Sequence, residues 1–456
     1  MNAINKPSRR EFLQNTGKVA AATALAGMAV PHVHAAENNT IQLALIGCGG
    51  RGTGAAADAM SVKHGPVKLV AMADVFKDRL NGSYRGIKQQ CGDRVDVPRE
   101  RQFIGFDAYQ KAMDCLKPGD IAIFATPLAF RWVDFTYAIA KGLNVFMEKP
   151  LTADGPTSRK MFKLADEATA KNLKVGVGLM SRHSRAMQQL AQRIQDGEIG
   201  DLVLMRGYRM HGALGSMQSS PKPAGVSEVE YQIRRFHSFL WAGGGCFSDF
   251  YIHIIDHCGW MKGAWPVSAQ ALGGRHYRSD YVDQNFDSYS VEYTFPDETK
   301  FLMDGRCMLG CTEIYHSFAH GTKGTAIISR SGDCGGPAAT FKGLGSSRAG
   351  TLWESKVKGD EGNPYQNEWN DLVDAIRNDK PYNEVKRGVE ASLVTSMGRM
   401  AAHTGRIVTY DEILNCPHEF APNVDKLAMD GPAPLMSDAN GKYPVPQPGI
   451  VTKQEY

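Results

Sequence analysis

A run of glycines, Gly47-Cys48-Gly49-Gly50-Arg51-Gly52, stands between a short apolar segment, Ile41 to Ile46, and an alanine-rich one, Thr53 to Met60. A strand, a glycine turn and a helix in that order can hold a pyrophosphate. Gly47 permits the tight turn, Gly49 lets the backbone approach the phosphates, and Gly52 lets the helix pack closely on the strand. The phosphates would sit at the helix N-terminus, where unpaired N–H groups and the dipole favour negative charge. Gly50 and Arg51, inside the turn, are counted with this site. Asp74 closes the next apolar segment, Val67 to Ala73. A carboxylate there accepts hydrogen bonds from a ribose 2′-OH and repels a 2′-phosphate, so NAD is expected rather than NADP, although Arg79 and Arg85 could accommodate the phosphate.

A second group lies on a helix expected over about Cys246 to Met261. At about 100° per residue, Asp249, His253, Asp256 and Trp260 fall within about 60° of one another, and apolar residues occupy the other directions. Ionisable groups are costly to bury unless paired or functional, so this stripe is expected to face a cofactor or a substrate. Asp249, His253 and His257 are spaced four apart and could in principle hold a metal. With NAD supplying the redox chemistry, no metal is expected.

The elements that must position these groups alternate along the first half. Strands are expected at Asp120 to Ala125, closed by Thr126-Pro127, at Asn144 to Met147, closed by Glu148-Lys149-Pro150, and at Lys174 to Gly178. Helical stretches, Trp132 to Lys141 and Thr157 to Ala170, separate them. This is the pattern of an α/β fold with a doubly wound parallel sheet, and its ligand lies beyond the carboxyl ends of the strands, where Thr126 and Lys149 fall. Beyond residue 180 the strand-like runs Leu202 to Met210, Val267 to Leu272, Ser288 to Phe295, Thr299 to Cys307 and Thr325 to Ser329 follow with few helices between them, an α+β pattern.

Taken in order, Gly47 to Gly52, Asp74, Ala125-Thr126-Pro127, Glu148-Lys149-Pro150, and Gly243-Gly244-Gly245 followed by Asp249, His253 and Asp256 resemble the Gfo/Idh/MocA family of sugar and polyol oxidoreductases, glucose-fructose oxidoreductase-like members included. The likeness runs from about residue 40 to about residue 410. It implies an N-terminal Rossmann domain and a C-terminal domain built on an open, mostly antiparallel sheet that covers the nicotinamide and forms the sugar pocket. It also implies that Thr126, Pro127 and Glu148 belong to the cofactor site and that Lys149, Asp249 and His253 handle the proton. In that role His253 takes the proton of a sugar hydroxyl, Asp249 orients it, and Lys149 stabilises the developing alkoxide. Arg182, Tyr208, Arg209, His211, Arg235, Trp241 and Asp256 are of types that bind sugars. The chain departs from the pattern after Thr126-Pro127, where relatives carry an asparagine and a histidine and this chain has Leu128-Ala129-Phe130-Arg131. The Tyr-Pro-Thr-His segment of NAD-dependent glycosidases in the same superfamily is absent.

The N-terminus carries a different signal. Ser8-Arg9-Arg10-Glu11-Phe12-Leu13 precedes an apolar stretch, Val19 to Val30, and small residues at Ala35-Ala36, the order of a twin-arginine export peptide. Its apolar part is about a dozen residues long, short of the roughly 20 a membrane span needs, so export through the Tat machinery to the periplasm is expected rather than a stable membrane anchor. Removing residues 1–35 takes away Lys6, Arg9, Arg10, Lys18 and Glu11 and lowers the formal charge from +4 to +1, which leaves no basic surplus for nucleic acid. The division expected is a signal peptide at 1–36, a NAD-binding domain at 40–180, a substrate and oligomerisation domain at 181–415 in a homo-oligomer, and an extended arm at 416–456 that could wrap a neighbouring subunit. Nine cysteines without a CxxC pair read as buried small residues, Cys307 and Cys311 being the pair to check.

An exported protein cannot draw on a cytoplasmic pool of NAD. The expected reaction therefore restores the redox state of a tightly held cofactor, either by oxidising one carbohydrate and reducing another, or by oxidising a sugar carbon transiently to assist hydrolysis or elimination. A noncatalytic sugar-binding protein is the third reading, and Lys149 with His253 argues against it.

Overall fold

The computed structural model describes residues 39–276, 280–330 and 338–456. The export peptide expected at 1–36 and Cys334 lie outside the described residues.

The first sheet has six strands, β1 Ile41–Ile46, β2 Val67–Asp74, β3 Gln102–Ile104, β4 Ile121–Phe124, β5 Asn144–Met147 and β6 Val175–Val177. They run parallel in the order β3-β2-β1-β4-β5-β6. β4, β5 and β6 are buried at every residue, as strands covered by helices on both faces must be. The strand order reverses between β1 and β4, and the crevice at that switch point is where a doubly wound sheet receives its ligand. The sequence patterning anticipates every strand here except the three-residue β3.

The second sheet has nine strands. They are β7 Leu202–His211, β8 Ser268–Gly274, β9 Ser288–Thr294, β10 Lys300–Cys307, β11 Ile314–Gly321, β12 Gly324–Ser329, β13 Ala339–Lys342, β14 Thr351–Glu354 and β15 Val408–Thr409. Their order is β14-β13-β12-β11-β7-β10-β9-β8-β15, antiparallel apart from the β7–β10 pair. The fold is thus a parallel Rossmann-type sheet joined to an open, mostly antiparallel one.

Burial alternates along β10, so one face of this sheet is packed and the other is not. Helices Gly245–Lys262 and Val385–Thr404 cover the packed face. Gly305 makes close approach possible: a Cβ there would lie 2.1 Å from the Tyr251 ring. The helix carrying Asp249 and His253 is thereby pressed onto β7 and β10 and turned toward the first domain.

Two later segments return to elements far away in sequence. Helix Pro364–Arg377 packs on the first sheet, where Trp369 stacks on Phe146 at 4.4 Å between ring centroids. The arm beyond Cys416 lies along its own chain, with Phe420, Val424, Leu435 and Tyr443 buried. Near its end Glu455 enters a buried socket, where Arg399 donates to both carboxylate oxygens at 2.9 and 2.8 Å and His403 Nδ1 lies 2.7 Å away. Among the described residues no helix is long and apolar enough to cross a membrane.

The cysteine expectation needs correcting. Cys307 meets Cys246, not Cys311, which is half-buried and free. Cys307 ends β10 inside the sheet, whereas Cys311 sits in the turn that leaves it.

Candidate active site

β1 delivers the chain into the glycine turn with Gly47 at φ +91°, a conformation that suits a residue without a side chain. A Cβ on Gly47 would lie 2.6 Å from the Ala125 carbonyl carbon, and one on Gly52 would lie 2.2 Å from the Gly47 oxygen. Close packing therefore requires both glycines. Gly50 has open space on its Cβ side, and Gly49 meets only Arg79 Nη1 at 3.7 Å, so the turn presents bare backbone at the start of helix Gly50–Met60. That surface fits a pyrophosphate.

A cleft of about 550 Å³ opens over this turn. Gly47, Gly49, Gly50, Arg51, Gly52, Asp74, Thr126, Pro127 and Glu148, the cofactor residues expected from sequence, all line it, as do Lys149 and Asp249. Asp74 accepts the N–H of Cys48 at 2.7 Å and that of Phe76 at 2.8 Å, which holds its carboxylate at the end of β2. Arg51 is committed elsewhere: its guanidinium donates to Glu148 Oε1 at 2.6 Å and to Glu368 Oε1 at 3.2 Å. It fastens the glycine turn to the strand end that carries Lys149, and Glu368 has no sequence signal that marks it for this contact.

Lys149 and Asp249 come from different domains and meet at the cleft. Lys149 Nζ donates to the Asp249 backbone oxygen at 2.7 Å and to its Oδ1 at 3.1 Å. Each side chain is 14% exposed, enough to reach a ligand. Burial alone would push the Asp249 carboxyl up, but the Lys149 charge and His237 outweigh it and hold it well below the usual carboxylate range.

His237 is a residue that sequence reasoning missed. It lines the cleft, its Nε2 stands 3.2 Å from Asp249 Oδ2, and its Nδ1 accepts the Ser216 N–H at 3.2 Å. An Nδ1 that accepts leaves the proton on Nε2, so His237 donates to Asp249. Its place before Gly243-Gly244-Gly245 was the available hint, but no helical or strand period marks it.

His253, one turn beyond Asp249, is 7% exposed and is not part of the cleft wall. Its Nδ1 is buried with no hydrogen-bond partner among the described residues. Burial, then the Lys149 and Arg209 charges, push its pKa well down, so the ring is neutral.

The rest of the expected stripe does not reach the cleft. Asp256 is fully buried against Arg182, whose Nη2 donates to Oδ1 at 2.8 Å and Nε to Oδ2 at 3.0 Å. From Asp249 to Asp256 a helix rises about 10 Å, so one stripe spans two environments. Asp256 and Arg182 satisfy each other and are withdrawn as substrate contacts. His257 Nε2 pairs with Ser317 Oγ at 2.8 Å, so Asp249, His253 and His257 do not converge on a metal. Tyr208 alternates to the other face of β7, where it receives Arg206 Nη1 at 3.2 Å and packs edge-on to Phe318. Trp241 is a core residue, 1% exposed, whose Nε1 donates to Gln232 at 2.7 Å. Neither lines the cleft; Arg235 does.

The segment that departs from the family pattern forms a buried wall. Arg131 donates to the carbonyls of Phe124 and Thr126, both at 2.8 Å, and Asp134 accepts from Thr126 Oγ1 at 2.9 Å. Burial pushes the Asp134 carboxyl up to about 7. The folded chain then keeps a proton that the unfolded chain, with a value near 4, has released. Stability is therefore expected to fall as pH rises through that window, by up to about 1.4 kcal/mol per pH unit. Thermal melts of Asp134→Asn beside wild type, from about pH 5 to about pH 8, check this: the variant should lose the downward slope.

Fold and site together define a class, a Rossmann-type domain whose cleft is closed by residues of an open-sheet domain. Residues 187–327 match the GFO/IDH/MocA C-terminal domain. The chain is 26% identical over 205 residues to the rhizopine catabolism protein MocA of Rhizobium meliloti, covering 44% of this chain and 51% of that one. It is 26% identical over 216 residues to inositol 2-dehydrogenase of Corynebacterium glutamicum, covering 46% of this chain and 57% of that one. The alignment thus spans about half the length of these curated relatives. Among solved structures, scyllo-inositol dehydrogenase from Lactobacillus casei with NAD(H) and scyllo-inositol superposes with a TM-score of 0.59 at 20% identity, over 82% of this chain and 99% of that one. Aldose-aldose oxidoreductase from Caulobacter crescentus gives 0.62 at 16% identity, over 81% and 99%. Residues 187–327 are thus similar to the C-terminal domain of Gfo/Idh/MocA proteins, and the whole chain shares their two-domain fold.

Proposed function

We propose that the protein is an NAD-dependent oxidoreductase that moves a hydride to and from a hydroxyl-bearing carbon of a polyol or sugar. The observation that carries this reading is the Lys149–Asp249 contact beside the bare glycine turn. Bound NAD would be held by Gly47 to Gly52, Asp74, Thr126, Pro127 and the backbone around Glu148, and would supply the hydride acceptor.

The residues of the chain do the rest. Lys149 spends two of its three N–H donors on Asp249 and offers the third to the substrate oxygen, where it stabilises developing negative charge. Both nitrogens of His237 are engaged, one accepting and one donating, so it orients Asp249 and does not take the proton. His253, the acceptor that the family resemblance implies for the hydroxyl proton, is neutral and lies one turn beyond Asp249, outside the cleft wall. A noncatalytic sugar binder has no use for this arrangement.

The reading extends to export by the twin-arginine route, tight retention of NAD, and a closed redox cycle in a homo-oligomer. Protein purified from the periplasm is expected to release one NAD per chain on denaturation and to keep it through dialysis; an empty site that binds NAD loosely overturns the closed cycle. Addition of inositols or aldoses should reduce the bound cofactor, seen by absorbance. Free sugar released from a glycoside without added NAD would assign net hydrolysis or elimination.

NAD rather than NADP is the expected cofactor because the Asp74 carboxylate stands at the end of β2 in the cleft wall. Asp74→Ser is expected to lower NAD affinity by about tenfold and to raise that for NADP, with Arg79 beside it. Titration calorimetry with both cofactors on stripped protein measures the change.

A further inference from the structure

We infer that His211, Cys246 and Cys307 form a structural site for a thiophilic divalent cation, zinc first, that pins the helix carrying Asp249 to the second sheet. The three residues sit at the ends of three elements. His211 closes β7, Cys307 closes β10 directly opposite it in register, and Cys246 stands in the first turn of helix Gly245–Lys262. One donor atom from each lies within 4.8 Å of the others, and all three residues are buried.

The imidazole is already oriented as a metal ligand. His211 Nδ1 lies 2.5 Å from the Gly212 carbonyl, an oxygen that can only accept, so the proton is on Nδ1. The Nε2 lone pair is left facing Cys307 Sγ at 3.4 Å. A carbonyl that fixes the distal N–H is the usual outer support of a metal-bound histidine. Zinc held tetrahedrally by sulfur at about 2.3 Å and nitrogen at about 2.0 Å gives a sulfur-to-nitrogen edge of about 3.5 Å.

The cysteines match a bridged pair better than a direct bond. Their sulfurs are in contact, yet their Cα atoms are 7.8 Å apart, whereas disulfides usually hold them within about 4.4–6.8 Å. A cation between them parts the touching sulfurs to the edge of about 3.8 Å that a tetrahedral zinc site needs, which the wide Cα spacing allows. The Tyr251 hydroxyl, 3.1 Å from Cys307 Sγ and 3.6 Å from Cys246 Sγ, supplies a fourth donor or a hydrogen bond to a thiolate. Binding releases the two thiol protons, and two thiolates neutralise the divalent charge, so the loaded site is uncharged in a buried setting. Asp249 lies one helical turn from Cys246, and the pin holds its end of the helix in place.

The test uses the full mature chain from cells grown with added zinc, with elemental analysis after dialysis. One zinc per chain is expected in wild type, with loss of that equivalent in Cys307→Ser and in His211→Ala. If these variants do not fold, cobalt(II) added to wild-type protein gives the second readout, and a thiolate-to-cobalt charge-transfer band is expected. Absence of zinc together with absence of that band overturns the site, as does an intact mass that shows Cys246 and Cys307 fully oxidised to a disulfide.

Discussion

Lys149→Met is expected to lower kcat by about 10³-fold while changing KM for the polyol far less. In the proposed reaction the ammonium at the cleft meets charge on the substrate oxygen, and that charge grows only toward the transition state. Removing it also strips Asp249 of its nearest counter-charge, leaving a carboxylate, 14% exposed, with only the His237 contact on its other oxygen. The loss should therefore be larger than that of His237→Ala, which leaves Lys149 and Asp249 paired. Reduction of the bound cofactor in a single turnover separates chemistry from substrate binding, and an unchanged cofactor content shows that the fold survived. A Lys149→Met protein that turns over within tenfold of wild type would remove Lys149 from the reaction.

Glu455→Ala is expected to destabilise the protein by about 3–5 kcal/mol, a large effect for a residue next to the C-terminus. Arg399 is fully buried, and Glu455 is its carboxylate partner. Without Glu455 the guanidinium keeps only neutral oxygens: Ser248 Oγ at 2.5 Å, and the carbonyls of Gly244 at 3.1 Å and Ala153 at 2.6 Å. Those same contacts join the helix of Asp249 to the loop that follows Lys149-Pro150, so cofactor retention should fall with stability. Burial raises the Glu455 carboxyl, but Arg399 outweighs it and holds the pKa at about 2. A depressed carboxylate contributes stability above its unfolded value near 4 and loses it as pH falls toward 2. The wild-type protein should thus lose more stability on acidification than the variant. Urea midpoints at neutral and acid pH measure both effects.

The first domain was legible because each local signal agreed with the global fold. Apolar runs punctuated by Gly47 to Gly52, Thr126-Pro127 and Glu148-Lys149-Pro150 are buried parallel strands with their ligand ends marked. In the second domain β11 has no sequence signal, since Tyr315, His316, Phe318 and His320 do not form an alternating apolar strand pattern. Its place is set by its neighbours, β7 on one side and β12 on the other. Periodicity predicts the helix from Gly245 as an element, but not the division of its polar stripe between two environments. In the fold Asp249 faces the cleft, His253 lies beneath it, and Asp256 closes on Arg182.

By itself, the sequence determined what short-range chemistry can determine: a glycine turn that only bare backbone can make, an acid at the end of the second strand, and a lysine at the end of the fifth. Tertiary structure alone decided which polar groups meet. Lys149 and Asp249 stand a hundred residues apart yet within 3.1 Å, and His237, Glu368, Glu455 and the His211-Cys246-Cys307 cluster gain their partners the same way. Helical or strand periodicity reports which way a side chain points from its own element. Which group it meets depends on the packing of elements distant in the chain, and no local pattern carries that information.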